Sequence, residues 1–254
     1  MDAAATLALA GVTLAAAGVQ AATGFGFAIL AAPVFLAALG STAAIPILVA
    51  LHVVQSALVV PKVWRRVPPS LFLSLGAGAL IGMPLGLAVF LTIGLRELKL
   101  GAGLLILAAS ALIAWRRWRT LRMGTPSPLP QAPKAEQRSA AITGLVSGAL
   151  TALLVMPGPP LMVHLLRYPL AGDTARSLSL TFFAACYLAV LAAHGVAGSL
   201  GASDWATVAW LAPFVVLGTL GGIRSARHLG DRHLAMILNV LLVLSGVGAI
   251  VSAL

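Results

Sequence analysis

Acidic side chains are the scarcest chemistry in this chain: Asp and Glu together number six, and none interrupts an apolar run. That argues against a carboxylate proton relay or a sodium site built on carboxylates. Cysteine occurs once, as Cys186, so neither an intramolecular disulfide nor a cysteine-based metal cluster can form. The motifs H-x-x-x-H, G-x-S-x-G and the phosphate-binding P-loop are also missing. No enzyme activity, resident cofactor or metal is expected. Charge of either sign is thin, 9% of residues, and positions 3–61 hold no Asp, Glu, Lys or Arg.

What is present is apolar: 60% of the 254 residues, with a mean hydropathy of +1.05. Further charge-free runs cover 67–95, 100–115, 139–166, 177–203, 205–223 and 234–254. A spanning helix needs about 20 mostly apolar residues, so the composition describes an integral, multi-pass membrane protein. The first 22 residues carry Asp2 and no Lys or Arg, unlike the start of a signal peptide, and read as a retained helix. The net charge of +10 comes from basic residues at the ends of apolar segments, the positive-inside pattern, so no nucleic-acid partner is expected.

Caps and breakers predict helices over 3–22, 27–39, 42–61, 69–93, 97–117, 139–156, 159–169, 174–198, 204–228 and 232–253. Ser41-Thr42, Asp173-Thr174, Ser203-Asp204 and Asp231 are the candidate N-caps. Segment 118–138, with Arg119, Arg122, Pro126, Pro128, Pro130, Pro133, Lys134 and Arg138, reads as a cytoplasmic basic, proline-rich linker. It separates a first membrane repeat, 1–117, from a second, 139–254. At an offset of 136, Gly82, Gly86, Gly94 and Arg96 meet Gly218, Gly222, Gly230 and Arg232; at 132, Gly40-Ser41-Thr42-Ala43 meets Gly172-Asp173-Thr174-Ala175. With the linker cytoplasmic, fourteen of the sixteen Lys and Arg fall inside, and only Arg96 and Lys99 fall outside. An odd number of crossings per half then makes the repeats inverted. The fold class expected is all-α: two inverted repeats of about five helical segments each, including short half-helices.

Two stretches break the pattern inside charge-free runs. They are Thr23-Gly24-Phe25-Gly26-Phe27 and Met156-Pro157-Gly158-Pro159-Pro160. Segments 27–39 and 159–169 that follow them are too short, at about 1.5 Å per residue, for a bilayer core of about 30 Å. Interrupted backbone at membrane depth is tolerated where it is buried in protein or lines a polar cavity, and paired breaks point to a transporter's binding site. A half-helix that starts at mid-depth turns its amides and positive dipole end towards an anion. Gly24, Gly26 and Gly158 allow close approach of backbone, and Pro159 and Pro160 suit a first turn; ordinary kinks or close helix packing would use the same residues. Arg176, in the first turn of its helix, is either a bidentate counter-charge or an interfacial anchor. His164 is the candidate for coupling to protons, or a packing histidine. His52 and Gln55 share a helix face and supply either polar substrate contacts or interhelical hydrogen bonds.

The run Gly24-Phe25-Gly26-Phe27 with Pro33, the later Gly158-Pro159-Pro160-Leu161 with Arg176, and the Gly82/Gly86 and Gly218/Gly222 pairs resemble the sulfite exporter TauE/SafE family of membrane transporters. The resemblance implies secondary transport, often outward, of sulfur-containing oxyanions or organosulfonates driven by an ion gradient. The function expected is export of such an anion by alternating access around a midplane site made of Thr23, Gly24, Phe25, Gly26, His52, Gln55, Gly158, Pro159, Pro160, His164 and Arg176. An anion channel, a membrane-embedded enzyme and an assembly subunit are the rivals. The setting expected is a bacterial inner membrane, with the small anion, the lipid bilayer, a coupling proton and a second copy of the chain as partners.

Overall fold

The structure, a computed structural model, describes residues 3–123, 133–225, 243 and 246–253. Among them the regular elements are all helices: α1 (Ala3–Thr23), α2 (Phe27–Leu39), α3 (Ala44–Val63), a 3₁₀ turn (Trp64–Arg66), α4 (Pro69–Phe90), α5 (Leu95–Met123), α6 (Pro133–Leu154), α7 (Gly158–Arg167), α8 (Gly172–Val196) and α9 (Ala202–Ser225). Five of these, α1, α3 with its 3₁₀ turn, α4, α8 and α9, are long and apolar enough to cross a membrane. The fold is that of an all-α, polytopic membrane protein. The helix expected over 232–253 lies largely outside the described residues, of which 246–251 are helical.

Several helix ends differ from the sequence reading for identifiable reasons. Ser41 and Asp173 do not cap: α3 and α8 start after Ala43 and Ala171, without a side-chain cap. Asp204 instead sits in the first turn of α9 and accepts the Gly201 N–H at 2.8 Å, a reach backwards that closes the turn. The segment read as a linker is partly helical, since α5 runs on to Met123 and α6 already begins at Pro133. Arg119 and Arg122 are good helix formers, and a proline costs nothing at the first position of a helix. Residues 124–132 lie outside the described ones.

The closest helix packing joins the two halves. α4 lies on α6 and α1 on α9, each through glycine. A Cβ at Gly82 would stand 1.9 Å from the Leu145 carbonyl oxygen and one at Gly86 2.1 Å from that of Ala149; at Gly218 and Gly222 it would meet the Leu14 and Gly18 oxygens at 2.2 and 2.1 Å. Only glycine permits backbones this close. Leu14 and Gly18, the oxygens met by Gly218 and Gly222, stand 131 positions before Leu145 and Ala149, those met by Gly82 and Gly86.

The two ends of the bundle differ in charge. Arg66 pairs with Asp173 at 3.3 Å, which brings the 3₁₀ turn beside the start of α8. The Ser139 hydroxyl meets His164 Nδ1 at 3.1 Å and Ser147 Oγ donates to the Pro157 carbonyl at 2.9 Å, so α7 doubles back along α6 towards that same end. Lys62, Arg65, Arg66, Lys134, Arg138, Arg167 and Arg176 therefore gather there. Phe90, at the end of α4, packs on His194 near the end of α8 and marks the opposite end, where Arg96 and Lys99 follow in α5.

Candidate functional site

α1 ends where Gly24 and Gly26 take φ values of +93° and +114°, a region open to glycine and costly for other residues. The loop is held by side chains rather than by a continued helix. The Thr23 hydroxyl donates to the Phe25 carbonyl (2.7 Å) and receives the Phe25 N–H (3.3 Å). Gln20 Oε1 accepts the Phe27 N–H at 3.1 Å, which satisfies one orphan donor of α2. In the second half, Val155 takes φ +61° and the Ser147 hydroxyl supports the Pro157 carbonyl, with Thr151 donating to the Ser147 carbonyl at 2.6 Å.

The two breaks meet. A methyl group on Gly158 would lie 3.9 Å from Phe25 Cβ and 3.7 Å from the Phe183 ring. Beside this junction is a cavity of about 310 Å³ lined by Thr23, Phe25, Gly158, Arg176, Ser179 and Phe183, and bordered by Leu170 and Gly172 at the basic end of the bundle. Arg176 closes one wall. Its stem packs on Gly24, where a Cβ would come within 3.1 Å of the Arg176 Cγ, and its Nη2 donates to the Ala21 carbonyl in the last turn of α1. The Arg176 Nε is buried without a partner. Among the described residues no carboxylate forms an ion pair with it, because Asp173 is turned outward to Arg66. The cavity thus carries a guanidinium that no carboxylate contacts directly among the described residues, with a donor to spare.

Thr23, Phe25, Gly158 and Arg176 line the cavity, and Gly24 touches it through Arg176. The other residues singled out in the sequence stand behind it. Gly26 packs on Val19. His52 is fully buried between the rings of Phe27 (4.3 Å) and Tyr187 (4.2 Å), with Nδ1 donating to the Leu48 carbonyl. Gln55 donates to the Ala17 carbonyl at 2.9 Å and braces α1. His164 faces α6, through Ser139, on the side of α7 away from the cavity. Pro159 and Pro160 start α7 but bear no N–H, so Gly158 is the residue at that helix end able to offer an amide. Sequence reasoning passed over Gln20, Ser147, Thr151 and Ser179. A signal existed for two of them, since Thr143, Ser147 and Thr151 recur every four residues along one face of an otherwise apolar helix.

Arranged so, the site offers a small anion a guanidinium and the Gly158 end of α7. A family model described as sulfite exporter TauE/SafE matches residues 9–249. Neither a curated protein nor a solved structure matches the chain. The family match takes in both breaks, Arg176 and the glycine pairs that join the halves, and the chain belongs to the sulfite exporter TauE/SafE family of membrane transporters.

Proposed function

We propose that this chain is a secondary transporter that exports a small sulfur-containing anion, sulfite or an organosulfonate, across a bacterial inner membrane. The observation that carries the reading is Arg176: a cation facing a cavity at the junction of two broken helices, with no carboxylate paired to it among the described residues. A half-buried positive charge that no carboxylate contacts directly is partly desolvated, and a bound anion offsets that cost. Planar guanidinium suits the oxygens of a sulfite or sulfonate group, as it suits carboxylate and phosphate. Gly158 leaves room for the anion beside backbone, Gly24 leaves room for the Arg176 stem, and Thr23 and Ser179 line the same cavity.

The halves act as inverted repeats that rock about this site, with the basic end cytoplasmic. The exchanged glycine contacts, α4 on α6 and α1 on α9, support that pairing, and the gathering of Lys and Arg at one end supports that orientation. In this conformation the cavity borders the basic end, which suits loading from the cytoplasm. Counterflow of [³⁵S]sulfite in proteoliposomes tests the proposal. Unlabelled sulfite on the opposite side should accelerate exchange, with taurine, sulfoacetate and thiosulfate run as competitors. Flux that ignores the opposite side identifies a channel, and no flux of any of these anions removes the reading.

A further inference from the structure

The face of α8 that begins at Arg176 continues to the other end of the bundle. Phe183, Tyr187 and His194 follow at seven, eleven and eighteen residues, which is about two, three and five turns, so all four project in one direction. Arg176 and His194 stand about 27 Å apart along the axis, close to the thickness of a bilayer core. Between them the line is shut. Phe183 and Tyr187 lie 6.4 Å apart, Tyr187 and His52 4.2 Å, and His52 and Phe27 4.3 Å, a continuous stack below the cavity.

His194 has no role in that stack, and its polar groups are idle. It is 0% exposed, yet among the described residues neither ring nitrogen has a hydrogen-bond partner. The Phe90 ring meets it edge-on at 4.8 Å, and the Ala152 carbonyl of α6 faces it outside hydrogen-bonding geometry. One turn further, Ser199, whose N–H donates to the His194 carbonyl at 3.0 Å, has a buried hydroxyl that is also without a partner. Buried polar atoms are nearly always satisfied, and three that stand open together, on His194 and Ser199, can take a partner that arrives in another state.

We propose that His194, with Ser199, is the contact that receives the transported oxyanion at the end of the pathway opposite Arg176, an inference that rests on the transport reading above. An imidazole N–H and a hydroxyl donate to an oxyanion as the Arg176 guanidinium does, but without a fixed charge, so the anion is held weakly where it has to leave. The stack of Phe183, Tyr187, His52 and Phe27 separates the two stations, and rocking of the halves opens one while closing the other.

The test compares sulfite KM from the two sides, using right-side-out and everted membrane vesicles, for the wild type, His194→Leu and His194→Gln. His194→Leu should raise the ratio of far-side to Arg176-side KM about tenfold, the loss of one hydrogen-bonding contact. His194→Gln, which keeps a donor, should bring the ratio back to within about threefold of wild type. A second readout needs no variant: carbethoxylation of His194 in the wild-type protein, followed by peptide mass spectrometry, should fall when sulfite is present. An unchanged KM ratio in His194→Leu, or a His194 that never reacts or reacts equally with and without sulfite, makes it a packing histidine and overturns the inference alone. Absence of wild-type flux for every anion offered overturns the transport reading and this inference with it.

Discussion

Arg176 does two things at once: it caps the last turn of α1 through the Ala21 carbonyl and it supplies positive charge to the cavity. Arg176→Ala should lower sulfite flux at least about tenfold, since hydrogen bonds to a charged group are worth roughly 1.5–3 kcal/mol, while the protein still inserts; full flux in proteoliposomes would remove Arg176 from the site. Gly24 gives an independent handle on the same contact. At φ +93° an alanine is strained by about 1–3 kcal/mol, and its Cβ would press on the Arg176 Cγ. Gly24→Ala should therefore resemble Arg176→Ala in flux, and wild-type flux in that variant would mean the guanidinium can move without consequence. Gln20→Leu leaves the Phe27 N–H unsatisfied, which costs about 1–3 kcal/mol, and should appear as lower thermal stability before any change in substrate preference.

Among elements, the glycine seams decide how the halves hold together. Gly82→Ala should separate α4 from α6 and destabilise the protein by about 1–3 kcal/mol, read as a lower melting temperature in detergent. Gly218→Ala should do the same at the α1 and α9 seam. Gly76 and Gly221, which have no atom within 4 Å of a would-be Cβ, are the controls, and alanine there should be neutral or slightly stabilising by up to about 1 kcal/mol. Equal effects at seam and control positions would show that the close approach does not matter. The breaks themselves were legible because glycine and proline announce them: Gly24, Gly26 and Pro157 to Pro160 stand where the helices stop. What holds each break was not, because the Gln20 to Phe27 and Ser147 to Pro157 contacts depend on how the chain turns back, and no local spacing encodes that. The same limit explains His52, Gln55 and His164. Polar residues in apolar helices are conspicuous in a sequence, but which side of the helix faces the cavity is fixed only by packing. The basic segment 118–138 misled in another way, since its prolines drew attention from helix-forming arginines on either side of them.

At the scale of the whole molecule, the charge of each end predicts orientation. In a Cys186→Ser background, Ser70→Cys lies at the basic end and Thr92→Cys at the opposite one, both exposed. A membrane-impermeant maleimide applied to whole cells should label Thr92→Cys and spare Ser70→Cys; the reverse would invert the topology and with it the proposed direction of loading. In the proposed transport cycle, the pairing of α4 with α6 and α1 with α9 is what ties closing at one end to opening at the other. The most direct measurement is where the anion sits. Selenite has the shape and charge of sulfite and a selenium atom that stands out by anomalous scattering. The account predicts one dominant selenium site in the cavity beside Phe25 and Gly158, within hydrogen-bonding reach of the Arg176 guanidinium. A dominant site elsewhere, or an empty cavity at saturating selenite, would contradict it.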